Sequence, residues 1–476
     1  MALFAEPRDA ILEEQLPHST PEALALIPRA LATRHSILAI RRDADELFVV
    51  VPRPIDESAV ERVRAVTGLR LSVRESSREA LRSCIAERYA DIDTPSDEVC
   101  DDAPAIRAVD RLHDRALRMR ASDIHLEPTQ TGGRIRMRVD GILHESERVP
   151  RELFAPMISR LKVLAAMDIA ERRQPQDGRY PLERLERSLD ARVSSMPTIA
   201  GEKLVIRLLD MQAELPSLGR LGMPSSMLDR YRRAIHAPHG FIVVCGPTGS
   251  GKTTTLYASL AERDLESQHV CTVEDPVEVQ MSGVAQVQVN PRAGVTFASA
   301  LRALLRQDPN VIMLGEMRDS ESAGVAMSAA LSGQLVLTTL HANDAPRAIE
   351  RLVELGLNRQ TLAAGLTAIV SQRLVRRLCT ACRRVCDSPL GMLYEPVGCA
   401  QCEGAGYRGR IGLFEFLPMS HAIRSAIARG EGALELARLA RAGGYEPMMS
   451  EGLRRAQRGE TSGTELQRVL GFGEDV

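Results

Sequence analysis

A chain of 476 residues with 44% hydrophobic and 26% charged side chains has an ordinary soluble composition and is long enough for about three domains. Its formal net charge of −2 excludes a global basic field for non-specific binding to nucleic acid or an acidic membrane, and no apolar run is long enough to span a bilayer. Met1 to Gln15 carries Glu6, Asp9, Glu13 and Glu14 instead of the basic-then-apolar layout of a signal peptide, so a cytoplasmic chain is expected unless a partner tethers it.

Residues 1–86 alternate short helical and strand-like patterns, with helices predicted over Glu22 to Ala32 and Ser58 to Thr67 and a strand over Leu47 to Val51. This reads as a small α/β domain without recognisable chemistry. Residues 87–103 are acidic and broken by Pro95, the composition of a linker whose charges repel and whose apolar content is too low to pack. A second domain spans 104–213. It opens with Ile106, Val109, Leu112, Ala116 and Leu117 at helical spacing and continues with strands over Asp123 to Leu126 and Arg134 to Val139. In the latter Ile135, Met137 and Val139 alternate with Arg134, Arg136 and Arg138, and Asp140-Gly141 supplies a hairpin turn. Leu189 to Ser194 and Lys203 to Leu208 are further strands, and the prolines and glycines of 214–225 mark a second linker.

The third domain, 226–476, begins with a helix over Ser226 to His236. Phe241 to Cys245 is apolar without alternation, as in a strand buried on both faces, and Val270 to Val273, Val311 to Leu314 and Leu335 to Leu337 repeat the pattern between helical stretches. That is a helix-covered parallel sheet. From about Ala422 the chain turns helical and polar.

Gly246, Pro247, Thr248, Gly249, Ser250, Gly251, Lys252 and Thr253 have Walker A spacing, with a buried strand before them and a helix over Thr254 to Ala261 after them. Glycines let backbone N–H groups curl around phosphates, and the helix N-terminus adds a favourable potential for the anion. Lys252 would reach the β- and γ-phosphates as a point charge, and the Thr253 hydroxyl would ligate Mg²⁺. Lysine is otherwise found only at 162 and 203 in this arginine-rich chain. Three polar clusters follow strands: Glu274-Asp275-Pro276-Val277-Glu278, Gly315-Glu316-Met317-Arg318-Asp319, and His341-Ala342-Asn343-Asp344. In open α/β sheets ligands sit beyond the carboxyl ends of the strands, so all three can converge on a nucleotide.

Cys379-x₂-Cys382 and Cys399-x₂-Cys402 are separated by sixteen residues, the spacing of a four-thiolate zinc ribbon. Such a closed site is structural. Cys386 is a fifth nearby thiol, read as a bystander, with replacement of one of the four ligands left open.

Taken together, these segments resemble the secretion ATPases of type II secretion and type IV pilus systems. The resemblance covers roughly residues 104–420 and rests on Arg120-Ala-Ser-Asp-Ile-His-Leu-Glu-Pro128, Met167 to Arg179, the Walker A segment, the Glu274 to Glu278 box, Arg306-Gln-Asp-Pro309, Gly315-Glu316, the box around His341, and Gly404 to Glu415. It implies a RecA-like P-loop ATPase domain preceded by a PAS-like α/β domain and a small N-terminal α/β domain, with a zinc-knuckle insertion at 379–402. It also implies a hexameric motor that binds ATP with Mg²⁺ and a structural Zn²⁺. Glu316 would be the Walker B carboxylate, with Glu274 or Glu278 the competing candidate for polarising water, and His341 would sense the γ-phosphate. Arg179, Arg192 and Arg207 match the arginines brought to the γ-phosphate from the preceding domain.

The leading expectation is the assembly ATPase of a type II secretion system, docked through residues 1–90 on an inner-membrane platform protein and so peripheral to that membrane. A type IV pilus extension or competence-pseudopilus ATPase is the alternative. Retraction ATPases lack the cysteine knuckles and this length of N-terminal region. A DNA-translocating ATPase fits less well, because near-neutral charge and 3% aromatic residues offer little for backbone tracking or base stacking.

Overall fold

The computed structural model describes residues 16–471 apart from 28, 45, 57–58, 61–62, 65–66, 68, 90–103, 186, 211–214 and 390. The acidic start over residues 1–15, residues 90–103 of the expected linker and parts of the helix predicted over Ser58 to Thr67 lie outside the described residues.

The first unit is a sheet of β1 (Leu38–Asp43), β2 (Glu46–Pro52) and β3 (Arg70–Ser76), with β1 and β2 antiparallel and β2 and β3 parallel. Where one helix was expected over Glu22 to Ala32 there are two, Pro21–Leu24 and Arg29–His35, and the break falls where the sequence has Pro28, which lacks an amide hydrogen. Of the residues expected in the linker, 87 and 88 instead finish the helix Arg78–Arg88, and Tyr89 caps it, fully buried beside Leu81 and Ile85. Burying that ring outweighs the local acidity.

The second unit is an antiparallel sheet in the order β6-β5-β4-β9-β8-β7, from β4 (Asp123–Thr129), β5 (Gly132–Val139), β6 (Ile142–Pro150), β7 (Gln176–Arg184), β8 (Arg187–Thr198) and β9 (Gly201–Leu209). The helices Pro104–Met119 and Arg151–Leu164 pack on the face carrying Ile124, Leu126, Ile135, Met137, Val193 and Ile206. By the two-residue period of a strand, Asp123, Glu127, Arg136, Arg138, Arg192 and Arg207 share the opposite face. Asp140 and Gly141 turn the chain from β5 to β6 with φ of +48° and +87°, the conformation of a tight hairpin. Strands β6 and β7 were not predicted, because both are edge strands rich in exposed polar residues.

The segment 214–225 is less of a free linker than its prolines suggested. Leu218 is fully buried under the third sheet with Met223, and the Arg455 guanidinium donates to the Gly222 carbonyl.

The third unit is a seven-stranded sheet in the order β12-β11-β13-β14-β10-β15-β18. It contains β10 (Gly240–Cys245), β11 (Val270–Glu274), β12 (Val284–Gln288), β13 (Val311–Leu314), β14 (Leu335–Leu340), β15 (Leu366–Leu378) and β18 (Tyr407–Pro418). All neighbours are parallel except β15 and β18. Every residue of β10, β11, β13 and β14 is buried, with Phe241 and Val243 entering one core and Ile242 and Val244 the other. Four polar-looking helices follow from His421 to Leu470, yet their charges are partly interior. Glu465 is completely buried against Arg376 at 2.8 Å, and Glu451 is buried with Arg455 at 2.9 Å. Paired charges can be buried where single ones cannot.

Candidate functional site

The phosphate loop starts at the end of β10. A Cβ on Gly246 would come within 2.5 Å of the Gln372 carbonyl and 2.6 Å of Ser250 Oγ, so only glycine lets the loop turn there. Gly249 and Gly251 take φ of +76° and +85°, and Gly251 is the residue before the helix Lys252–Leu260 that carries Thr253 and Thr254. Lys252 is buried and donates to the carbonyls of Gly246 at 3.0 Å and Pro247 at 2.9 Å, across the mouth of the loop. Burial lowers its pKa. Gln372, fully inside on β15, donates to the Ser250 carbonyl at 2.7 Å and accepts from Thr255 at 2.8 Å. It braces the loop from behind.

The three clusters lie beyond the carboxyl ends of β11, β13 and β14, and they are joined electrostatically. Arg318 pairs with Glu316 and lies 3.5 Å from Asp275, while His341 Nε2 is 4.0 Å from Glu316. Burial and the Lys252 charge lower the His341 pKa, with Glu316 opposing them, so the ring is neutral at pH 7. Thr339 donates to the Gly315 carbonyl at 2.6 Å and Gly315 to the Val273 carbonyl at 2.8 Å, which fixes the backbone below Glu316.

The carboxylates differ sharply. Glu274 is 2% exposed and receives hydrogen bonds from Tyr257, from Thr272 at 2.6 Å and from Gln286 at 3.1 Å. Glu278 is exposed. Desolvation and the Glu274 charge raise its pKa, while Arg207 and Arg192 pull it down from the neighbouring sheet. Glu316 keeps intermediate exposure.

Arg179, Arg192 and Arg207 stand in cross-strand register on β7, β8 and β9, and Arg207 continues the row to Asp123. Asp123 takes Arg207 at 3.1 Å and Arg138 at 3.3 Å, and Arg192 lies 3.3 Å from Asp190. All three arginines line one cleft of about 620 Å³ with Asp177. The structure brings Arg192 and Arg207 into the field of Glu278; Arg179 lies one strand further out at the edge of the sheet.

Cys379, Cys382, Cys399 and Cys402 place their sulfurs within 4.8 Å of one another, and three of the separations are 3.8 Å. A tetrahedron with Zn–S bonds of about 2.3 Å has an edge of about 3.8 Å, so this set fits zinc. Amides of Gly398, Cys399 and Gly406 donate to sulfurs at 3.2–3.3 Å, as thiolates require. Cys386 pairs across the β16 (Arg384–Ser388) and β17 (Gly391–Glu395) hairpin with Leu393 and stands outside the cluster.

Sequence reasoning missed Tyr257, Gln286, Arg318 and Gln372. Arg318 lay inside a segment already singled out. Gln372 is 122 residues from the loop it braces, and no local signal marks it.

The family profile described as "Type II/IV secretion system protein" matches residues 98–468, and the one described as "MshEN domain" matches residues 11–95. The type II secretion system protein HxcR of Pseudomonas aeruginosa is 45% identical over 81% of this chain and 83% of its own length. The type II secretion system protein E of Xanthomonas campestris pv. campestris is 40% identical over 95% of this chain and 86% of its own. The type IV pilus assembly ATPase PilB of Myxococcus xanthus is 37% identical over the same shares. Among solved structures, the pilus retraction motor PilT with bound ADP aligns with a TM-score of 0.50 at 26% identity over 75% of this chain and 98% of that one. The Legionella pneumophila ATPase DotB aligns at 0.59 over 76% and 95%, with a 22% identity that speaks for the fold alone.

Proposed function

We infer the function from one premise: the chain belongs to the Type II/IV secretion system protein family. It is an ATPase with a RecA-like fold, and it is the assembly ATPase of a type II secretion system. The observation that carries the reaction is the buried Lys252 lying across a glycine loop, with Glu316 and His341 at the ends of adjacent parallel strands.

In our reading the loop amides and Lys252 take the phosphates of ATP, with Lys252 exchanging its two carbonyl partners for phosphate oxygens. Thr253 and Glu316 offer hard oxygen donors that suit Mg²⁺, which when bound neutralises charge on the leaving phosphates. Glu316 orients the attacking water and accepts its proton. Glu278 is the second open carboxylate, Glu274 the internal brace of the box, and His341, neutral, positions the γ-phosphate. Arg192 and Arg207, with Arg179 behind them, supply delocalised cations to the charge that develops on the transferred phosphoryl group. The cysteine cluster holds Zn²⁺ as a structural ion.

Beyond the chain itself, we propose a homo-hexamer working at the cytoplasmic side of the inner membrane, attached through residues 1–90 to a platform protein. No helix among the described residues is long and apolar enough to cross a membrane, so attachment through a partner accounts for membrane work. A type IV pilus extension ATPase is the second reading, favoured by the 37% identity to PilB over 95% of this chain.

The purified protein tests the site. Lys252→Ala is expected to lose at least about a hundredfold in ATP turnover with the fold retained, and near-normal turnover would remove the assignment. Deleting the gene separates the two readings: exported proteins held back inside the cell support secretion, whereas loss of surface pili with export intact supports the pilus.

A further inference from the structure

The Asp140-Gly141 hairpin turn does more than reverse the chain. Asp140 Oδ2 accepts the Gly409 amide at 2.7 Å, and its other oxygen lies 3.8 Å from Arg410 Nε. Gly409, with φ of +78°, sits near the start of β18, seven residues past the last zinc-knuckle cysteine. This turn is therefore a seat for the six-stranded sheet on the ATPase unit, 269 residues away in sequence.

Both sides of the seat lead to the phosphate site. On one side, β18 pairs with β15 in the register Phe414 to Gln372, and Gln372 braces Ser250 of the phosphate loop. On the other, Asp140 follows β5, whose Arg138 joins Asp123, Arg207, Arg192 and Arg179 in a single cross-strand row. Within that row Arg207 and Arg192 act on Glu278. The sheet therefore touches the ATPase unit near Gly409, and the charges of its Arg207 and Arg192 reach Glu278 of that unit.

We propose that Asp140 is a positioning residue for hydrolysis: its carboxylate, seated on the Gly409 amide, fixes the antiparallel sheet so that Arg192 and Arg207 face the phosphate site. The proposal rests on the reading of those arginines as phosphate-site residues. Rotation about a lost seat would carry the arginines away from the γ-phosphate while leaving the loop that binds ATP intact. A misplacement of about 1 Å can cost two orders of magnitude in rate.

The test uses the full chain in five forms: wild type, Asp140→Gly, Asp140→Asn, Arg192→Ala and the Asp140→Gly/Arg192→Ala double variant. Glycine accepts the left-handed φ of +48° without strain, so Asp140→Gly removes the carboxylate but keeps the turn. Asparagine tolerates the same φ and still offers an oxygen to the Gly409 amide. Asp140→Gly is expected to lower kcat about tenfold with KM for ATP within about twofold, Asp140→Asn to stay near wild type, and the double variant to be no slower than Arg192→Ala. Arg192→Ala at the full wild-type rate would overturn the arginine reading beneath the proposal. A slow Arg192→Ala beside a fast Asp140→Gly would overturn the role of Asp140 alone, as would additive losses or an Asp140→Asn as slow as the glycine variant. A raised KM together with a lowered unfolding midpoint in Asp140→Gly would reduce the turn to a structural element and also defeat the proposal.

Discussion

Two glutamates of similar sequence context are separated by what surrounds them. Glu274 is enclosed at 2% exposure, and Tyr257, Thr272 and Gln286 donate to its oxygens, which takes up three of about four acceptor positions. Glu316 is held by Arg318 on one oxygen, stands 4.0 Å from His341 on the other, and is only partly buried. Glu316→Gln is accordingly expected to bind ATP normally and lose about 10²- to 10⁴-fold in kcat. Glu274→Gln replaces an acceptor with an amide donor facing other donors, and it should lower stability by about 1–3 kcal/mol with a smaller loss of kcat. Turnover and unfolding midpoints of the two variants decide the matter, and a Glu274→Gln protein of normal stability but dead activity would reverse the roles. Local chemistry made the phosphate loop and the cysteine pairs legible in the sequence, because their spacing alone creates the ligand set. The distinction between Glu274 and Glu316 was not legible. It depends on Tyr257, 17 residues before Glu274, and on Arg318, whose second partner Asp275 lies after a different strand.

At the level of elements, the helix Pro104–Met119 meets β7 through a buried polar pair, His113 and Tyr180, 2.6 Å apart. Burial first, and then the Arg184 charge, lowers the His113 pKa to about 4, against opposition from Asp110 and Asp114. The native ring therefore stays neutral in a range where the unfolded chain, with the ordinary value near 6.5, takes up a proton. Its contribution is fully present above about pH 6.5 and is lost as pH falls towards 4, a change of roughly 3 kcal/mol in all. Urea unfolding of wild type and His113→Gln between pH 7.5 and 4.5 should show that component of the slope only in the wild type; parallel curves would exclude it. Elements that bury a continuous apolar run, such as β10, β11, β13 and β14, were readable from sequence because both faces demand the same residues. Edge strands were not. β6 and β7 mix polar and apolar residues, and β12 is mostly half-exposed, so their pairing comes from neighbours supplied by other parts of the chain.

At the scale of the whole molecule, the apolar interior divides into separate cores. One takes Ala23 to Tyr89, a second takes Ala105 to Leu208, and those of the ATPase unit begin at Leu218. The first closes on itself, for Arg88 near its end donates to the Leu16 carbonyl at 3.1 Å and to Ser19 at its beginning. The residues we assign to ATP chemistry, and the Asp140 seat with them, all lie within 120–420, and the secretion-family match begins only at residue 98. A chain lacking residues 1–97 should therefore fold and turn over ATP at a rate within about threefold of the full chain, since a domain with its own core can be removed without unfolding its neighbour. The same deletion should abolish association with inner-membrane fractions, if residues 1–90 carry the docking surface. Turnover in solution and co-sedimentation with membranes read the two effects separately. A truncated chain that is inactive would tie the first unit to catalysis; one that still sediments with membranes would move the docking surface onto the second or third unit.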